Sequence, residues 1–314
     1  MTIISPDAPQ EQTNSIITLF SNGQIEEALG AVETLIKSYP NDPLLCNISG
    51  ACYAGLGQLD VAVKHYEKAL TIKPDYAEAH NNLGVTLQEL GQLDAAVKSY
   101  EKSLVIKPNY AEAHNNLGNA FKELGQLDSA IKNYENALTI KPDFADAHYN
   151  LGGTLKDLGQ LDAAVKSYQL ALTVKPDYAE AFNNLCSTLK ELGQLDTAIK
   201  SYEQILTINP NLVEAHNNLG ITLKELNQHD AAVKCFERAL AIKPDYVDAH
   251  SNLGISQQEL GQLDAAVKSY EKALAIKPDY AEAHYNLGNA LYDLGQLDAA
   301  VKSYEKALAI KPDY

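Results

Sequence analysis

The sequence has 314 residues, 46% apolar and 21% charged, which fits a folded chain and not a disordered one. No run approaches the roughly 18 apolar residues a membrane span requires. The formal charge of −16 would repel a phosphate backbone or an anionic lipid surface. Neither nucleic acid nor membrane is therefore an expected partner. Residues 1–8 lack the basic and apolar segments of a secretory signal, so a cytoplasmic chain is expected.

From residue 9 onward an offset of 34 governs the chain. The run from Ala77 to Gly84 returns at Ala111 to Gly118, Ala145 to Gly152 and Ala281 to Gly288. The expected organisation is an N-terminal extension (1–8), a divergent first repeat (9–42), and eight further repeats. These are 43–76, 77–110, 111–144, 145–178, 179–212, 213–246, 247–280 and 281–314. The first repeat opens on the polar stretch Pro9 to Asn14, with Ser15-Ile16 where later repeats have Leu-Gly and Val32 where they have Tyr. That suits an N-terminal cap with one face in water. Cys46, Cys52, Cys186 and Cys235 form no C-x-x-C pair and read as buried, reduced thiols rather than a disulfide or zinc set.

Within each repeat the pattern predicts two helices. In 77–110 the first, helix A, should run from about Tyr76 to about Leu90. Asp75 would cap it and Glu78 would close a capping box. Gly91 should take the left-handed conformation after it. The second, helix B, should run from about Asp94 to about Lys107 and stop at Pro108. Helical angles place His80, Leu83, Gly84, Leu87 and Leu90 on one core arc. On helix B they give Leu93, Ala96, Val97, Tyr100, Leu104 and Ile106. One hairpin cannot bury such faces alone, so repeats must stack.

Numbered 1 to 34, the repeat has a large residue at 4, Leu-Gly at 7–8, Leu at 11, Gly at 15, Ala at 20, Tyr at 24, Ala-Leu at 27–28 and Pro at 32. In 281–314 these are His284, Leu287-Gly288, Leu291, Gly295, Ala300, Tyr304, Ala307-Leu308 and Pro312. This pattern resembles the tetratricopeptide repeat over nearly the whole chain. The resemblance implies an all-α fold, a right-handed α-solenoid superhelix of nine helix-turn-helix repeats, with helix A lining a concave groove.

Position 6 is Asn82, Asn116, Asn150, Asn184, Asn218, Asn252 and Asn286 in seven successive repeats, and position 5 adds Asn81, Asn115, Asn183 and Asn217. Asparagine is a mediocre helix former, so its recurrence within helix A asks for a reason. A carboxamide offers both donor and acceptor, matching a peptide N–H and C=O. Helices roughly 8–10 Å apart would meet an extended peptide, advancing about 3.3 Å per residue, at about every third residue. The alternative is that each amide bonds a neighbouring helix. A position-6 ladder resembles the repeat arm of O-linked N-acetylglucosamine transferases, whose asparagines hold substrate peptides; that resemblance extends to these seven residues and brings no transferase with it.

A second stripe at position 12 holds Lys122, Lys156, Lys190 and Lys224, beside acids at position 13. These lysines would attract acidic side chains of a peptide, or else form a solvated face of mixed charge. The six histidines at position 4 recur with Phe182 in one repeat, which reads as packing rather than a metal site. No glycine loop for phosphate and no catalytic set stands out from the repeat register, so neither enzyme activity nor a cofactor is expected. The expected function is a scaffold binding a protein or extended peptide in the concave groove. A recognition arm of a larger protein is one expected form of it, since the chain ends on a consensus repeat with no polar capping helix after it. The alternative is a self-associating structural protein: Val301, Tyr304, Leu308 and Ile310, on a last helix expected at 298–311, are of the types a following repeat would cover.

Overall fold

The computed structural model describes residues 8–313, so most of the expected N-terminal extension lies outside the described residues. Among the described residues all regular structure is α-helical. The chain divides into two compact units, Met1–Gly159 and Gln160–Tyr314. The first holds α1 (Gln10–Ser21), α2 (Ile25–Ser38), α3 (Pro43–Gly55), α4 (Leu59–Ile72), α5 (Ala77–Glu89), α6 (Leu93–Ile106), α7 (Ala111–Glu123), α8 (Leu127–Ile140) and α9 (Ala145–Asp157). The second holds α10 (Leu161–Val174), α11 (Ala179–Glu191), α12 (Leu195–Ile208), α13 (Val213–Glu225), α14 (His229–Ile242), α15 (Val247–Glu259), α16 (Leu263–Ile276), α17 (Ala281–Asp293) and α18 (Leu297–Ile310). This is an all-α helical-repeat solenoid, odd-numbered helices being A and even-numbered ones B.

The turn from A to B is set by one residue. Gly91, Gly125, Gly193 and their counterparts have φ of about +70°, and Asn227 takes φ 58° where its repeat lacks the glycine. Asparagine tolerates this region because its short amide bonds locally. A Cβ at Gly91 would meet nothing within 4 Å, so its cost is purely conformational. Gly91→Ala should destabilise by about 1–2 kcal/mol and Gly91→Asn by less, read from urea unfolding midpoints.

Two sequence expectations fail in detail. Asp75 does not cap α5: the N-cap is Tyr76, whose side chain makes no capping bond. The residue before helix A is tyrosine or phenylalanine in most repeats, and at Tyr110 it packs under the preceding Lys107, whose Nζ lies 4.3 Å from the ring centroid. Only where that position is Asp42 does a carboxylate accept from the helix, from Leu44 N at 2.8 Å and Leu45 N at 3.2 Å. Ile106, placed in the core by sequence, is partly exposed, while Ser103 is fully buried. The buried stripe of α6 is Ala96, Ser99, Tyr100 and Ser103. The small Ser103 lets α6 approach the start of α5, and its hydroxyl donates to the Ala77 carbonyl at 2.8 Å.

Stacking shapes each unit. In the first, α3 touches α5, α5 touches α7 and α7 touches α9; in the second, α13 touches α15 and α15 touches α17. Successive B helices make no comparable contacts among the described residues. Within each unit the A layer is therefore the tighter one. The B helices stand apart with clefts between them.

Candidate functional site

The position-6 asparagines sit where successive A helices meet. All seven are half-buried. In the first unit they bond one repeat to the next. Asn82 Nδ2 donates to Asn47 Oδ1 at 3.1 Å, Asn116 to Asn81 at 3.1 Å and Asn150 to Asn115 at 3.0 Å. The acceptors at position 5 are buried. Each of these position-6 groups uses one N–H here, while a carboxamide has two N–H donors and an oxygen with two lone pairs. The carboxamide oxygens of Asn116 and Asn150 accept no bond among the described residues.

In the second unit the same rungs are differently made. Asn217 Nδ2 reaches only Asn218 Oδ1, at 3.5 Å, and the buried oxygens of Asn183 and Asn217 accept nothing. Asn252 Oδ1 accepts instead from Lys224 Nζ at 3.1 Å. Burial pushes the Lys224 ammonium below its ordinary range, with the Glu282 and Glu225 carboxylates opposing that shift.

The other lysines of that stripe also face neighbouring repeats. Lys122 pairs with Asp157 at 3.0 Å and Lys190 with Glu225 at 2.9 Å, each joining position 12 of one repeat to position 13 of the next. Where position 12 is glutamine the bond persists: Gln88 donates to Glu123, and Gln258 to Asp293 at 2.9 Å. The stripe is a second seam between A helices, in which Lys122, Lys190 and Lys224 are each bonded to the next repeat. Lys156 is also engaged. Sequence spacing hid this because the partners stand 35 residues apart.

The position-4 histidines do more than pack. The Nε2 of His80, His114, His148, His216, His250 and His284 each lies 2.9–3.1 Å from the carbonyl of the proline six residues earlier. They tie helix A to the end of the preceding B helix. The Nδ1 atoms of His80, His148, His250 and His284 are buried without a partner.

Models of the tetratricopeptide repeat match residues 145–178, 177–245, 235–268 and 281–314, and a TPR repeat model matches 50–91, 86–125, 118–156 and 258–295. The chain belongs to the tetratricopeptide repeat family. Among solved structures, a tetratricopeptide solenoid described as MamA protein is 28% identical, with a TM-score of 0.50 over 54% of this chain and 92% of that one. YrrB, described as a TPR protein with an unusual peptide-binding site, is 24% identical with a TM-score of 0.50, over 60% of this chain and 96% of that one, and shares the fold. A peroxisomal targeting signal receptor of Kluyveromyces lactis is 29% identical over 75 residues, and the match spans only 13% of that protein. Tetratricopeptide arrays are protein-interaction scaffolds, and the chain is one of that kind. None of its described helices is long and apolar enough to cross a membrane.

Proposed function

We propose that the chain binds extended peptide segments across the A-helix face of its units, through the carboxamides of Asn82, Asn116, Asn150, Asn184, Asn218, Asn252 and Asn286. The observation that carries this reading is the half-buried ladder with spare hydrogen-bonding capacity. Asn82, Asn116 and Asn150, each held by the preceding repeat, are preorganised, so a peptide pays little to order them. Contacts of this type address the peptide backbone, so affinity should depend weakly on peptide sequence. The lysines at position 12 serve this face by bracing it, and the acids they neutralise would otherwise repel one another.

The test uses rungs that carry no cross-repeat amide bond. Asn218 and Asn286 make no amide-to-amide bond to another repeat among the described residues, and Asn218 meets the Tyr202 hydroxyl instead. Asn218→Ala with Asn286→Ala should weaken extended 12-residue peptides by roughly tenfold, from two bonds at about 0.5–1.5 kcal/mol each. The melting temperature should fall only by what the lost Tyr202 contact costs, about 0.5–1.5 kcal/mol, and Asn286→Ala alone should leave it unchanged. Equal loss of folding and binding, or unaltered binding in calorimetry, would remove the ladder.

One observation favours a second reading, self-association. On α17 and α18 the side chains of Tyr285, Tyr292, Leu297, Val301, Leu308 and Ile310 are all exposed. Several exposed large apolar side chains on two adjacent helices point to a contact site. Sedimentation that shifts with concentration, and is abolished by Val301→Lys with Leu308→Lys, would favour it.

A further inference from the structure

Between successive B helices lie outer clefts, floored by the start of an A helix and by the proline before it. In the second unit, the cleft between α14 and α16 (about 710 Å³) and that between α16 and α18 (about 740 Å³) are built alike. Each presents a glutamate, a histidine and a lysine: Glu237, His250 and Lys272 in one, Glu271, His284 and Lys306 in the other. The first unit repeats the set between α4 and α6 with Glu67, His80 and Lys102.

The cleft between α10 and α12 breaks this rule at all three places. Gln169 stands for the glutamate, Phe182 for the histidine and Gln204 for the lysine, and no charged residue lines the cleft. Position 25 is glutamate in every other repeat, so Gln169 is the sole departure. Three differences, 13 and 22 residues apart in sequence, together replace the glutamate, the histidine and the lysine at one place in space. Its volume, about 520 Å³, falls within the range of small-ligand sites, roughly 300–1,000 Å³. The walls are apolar, from Leu172, Pro176, Leu185 and Ile208, and Ile208 at the rim is 51% exposed.

We infer that this cleft is a second binding site and that its occupant is an amphipathic helix of a partner protein, seated by an uncharged apolar stripe. Two features of the cleft select that occupant. Its rims are helical ridges of i, i+4 residues, Gln169 with Thr173 on α10 and Gln204 with Ile208 on α12, and such ridges accept the matching ridge of a third helix. The neighbouring clefts would force an apolar stripe to desolvate glutamate and lysine, whereas here the polar groups are neutral amides and hydroxyls. Phe182 and Asn184 are about 200° apart on α11, so this site faces away from the asparagines.

The chain supplies its own control, because other repeats already carry the alternative residues at the same positions. The variant Gln169→Glu, Phe182→His, Gln204→Lys should fold with an unchanged melting temperature. Its affinity should be probed by fluorescence anisotropy with a labelled 16-residue helical peptide bearing leucines at i, i+4, i+7 and i+11. We expect saturable binding to the wild type, at least tenfold weaker binding to the variant, and at least tenfold weaker binding of a scrambled peptide of equal composition. Asn218→Ala should leave this binding unchanged. Equal affinity of wild type and variant, or no saturable binding, overturns the proposal. So does a wild-type dimer that the variant dissociates, which would assign the cleft to a second copy of the chain. Should the variant fail to fold, Glu237→Gln, His250→Phe, Lys272→Gln decides: the stoichiometry must rise from one peptide to two, and a value that stays at one overturns the proposal.

Discussion

Replacing Tyr100 by alanine is expected to cost about 3–5 kcal/mol, the range for emptying a buried aromatic site. Tyr100 is fully buried, and its hydroxyl donates to Gln88 Oε1 at 2.9 Å. Its ring lies against Gly84 so closely that a Cβ there would stand 2.6 Å from it. The same lock recurs at Gly118 with Tyr134, Gly220 with Phe236, Gly254 with Tyr270 and Gly288 with Tyr304. Gly84→Ala should therefore cost about 1–3 kcal/mol through overpacking, and the two substitutions together less than their sum, because the smaller residue makes room for the methyl. One repeat shows the accommodation already. Cys186 replaces the glycine opposite Tyr202, and α11 and α12 touch over fewer residues than the later hairpins of that unit. Burial pushes the Cys186 thiol up to about 12, so it is a packing group and not a nucleophile at neutral pH. Urea unfolding of the three variants checks the cycle; strict additivity would mean the ring and the glycine are not a unit.

Acid should unfold the array through its histidines. Burial lowers the pKa of His80 and of His250, with Lys102 and Lys272 respectively adding repulsion and the proline carbonyls opposing. The neutral ring donates from Nε2 to the proline carbonyl, and its buried Nδ1 has no acceptor for a second proton. In the unfolded chain histidine titrates near 6.5. The folded values lie lower, so the unfolded state binds more protons as the pH falls below about 6.5, and stability decreases with it. The urea midpoint should be lower at pH 5 than at pH 7. Phenylalanine occupies this position at Phe182, so His80→Phe with His250→Phe should fold and reduce that difference. An undiminished difference would place the acid sensitivity elsewhere.

Much of the fold was legible because repetition multiplies every signal: seven asparagines at one register and a Leu-Gly, Gly, Tyr, Pro frame fix helix number and spacing. What escaped were contacts set by the angle between repeats. The Asp75 cap failed because a tyrosine fills the position where a cap must stand. The helical angle of Ile106 borders the buried stripe, yet its side chain lines the cleft between B helices. The bonds from Asn116 to Asn81 and from Lys122 to Asp157 join residues 35 apart, and no local period announces them. The position-5 asparagines were visible in the sequence, but their part as acceptors for the next repeat was not. The charge-free cleft is written where the repeats differ, at Gln169, Phe182 and Gln204, and not in the residues they share.

The most direct measurement of the central claim is side-chain amide NMR of the chain during titration with an extended peptide. The N–H₂ signals of Asn218, Asn252 and Asn286 should shift in proportion to bound peptide. An unrelated extended peptide should move the same signals, because the ladder reads the backbone. Saturated binding that leaves these amides unmoved would contradict the account and place the peptide elsewhere on the solenoid.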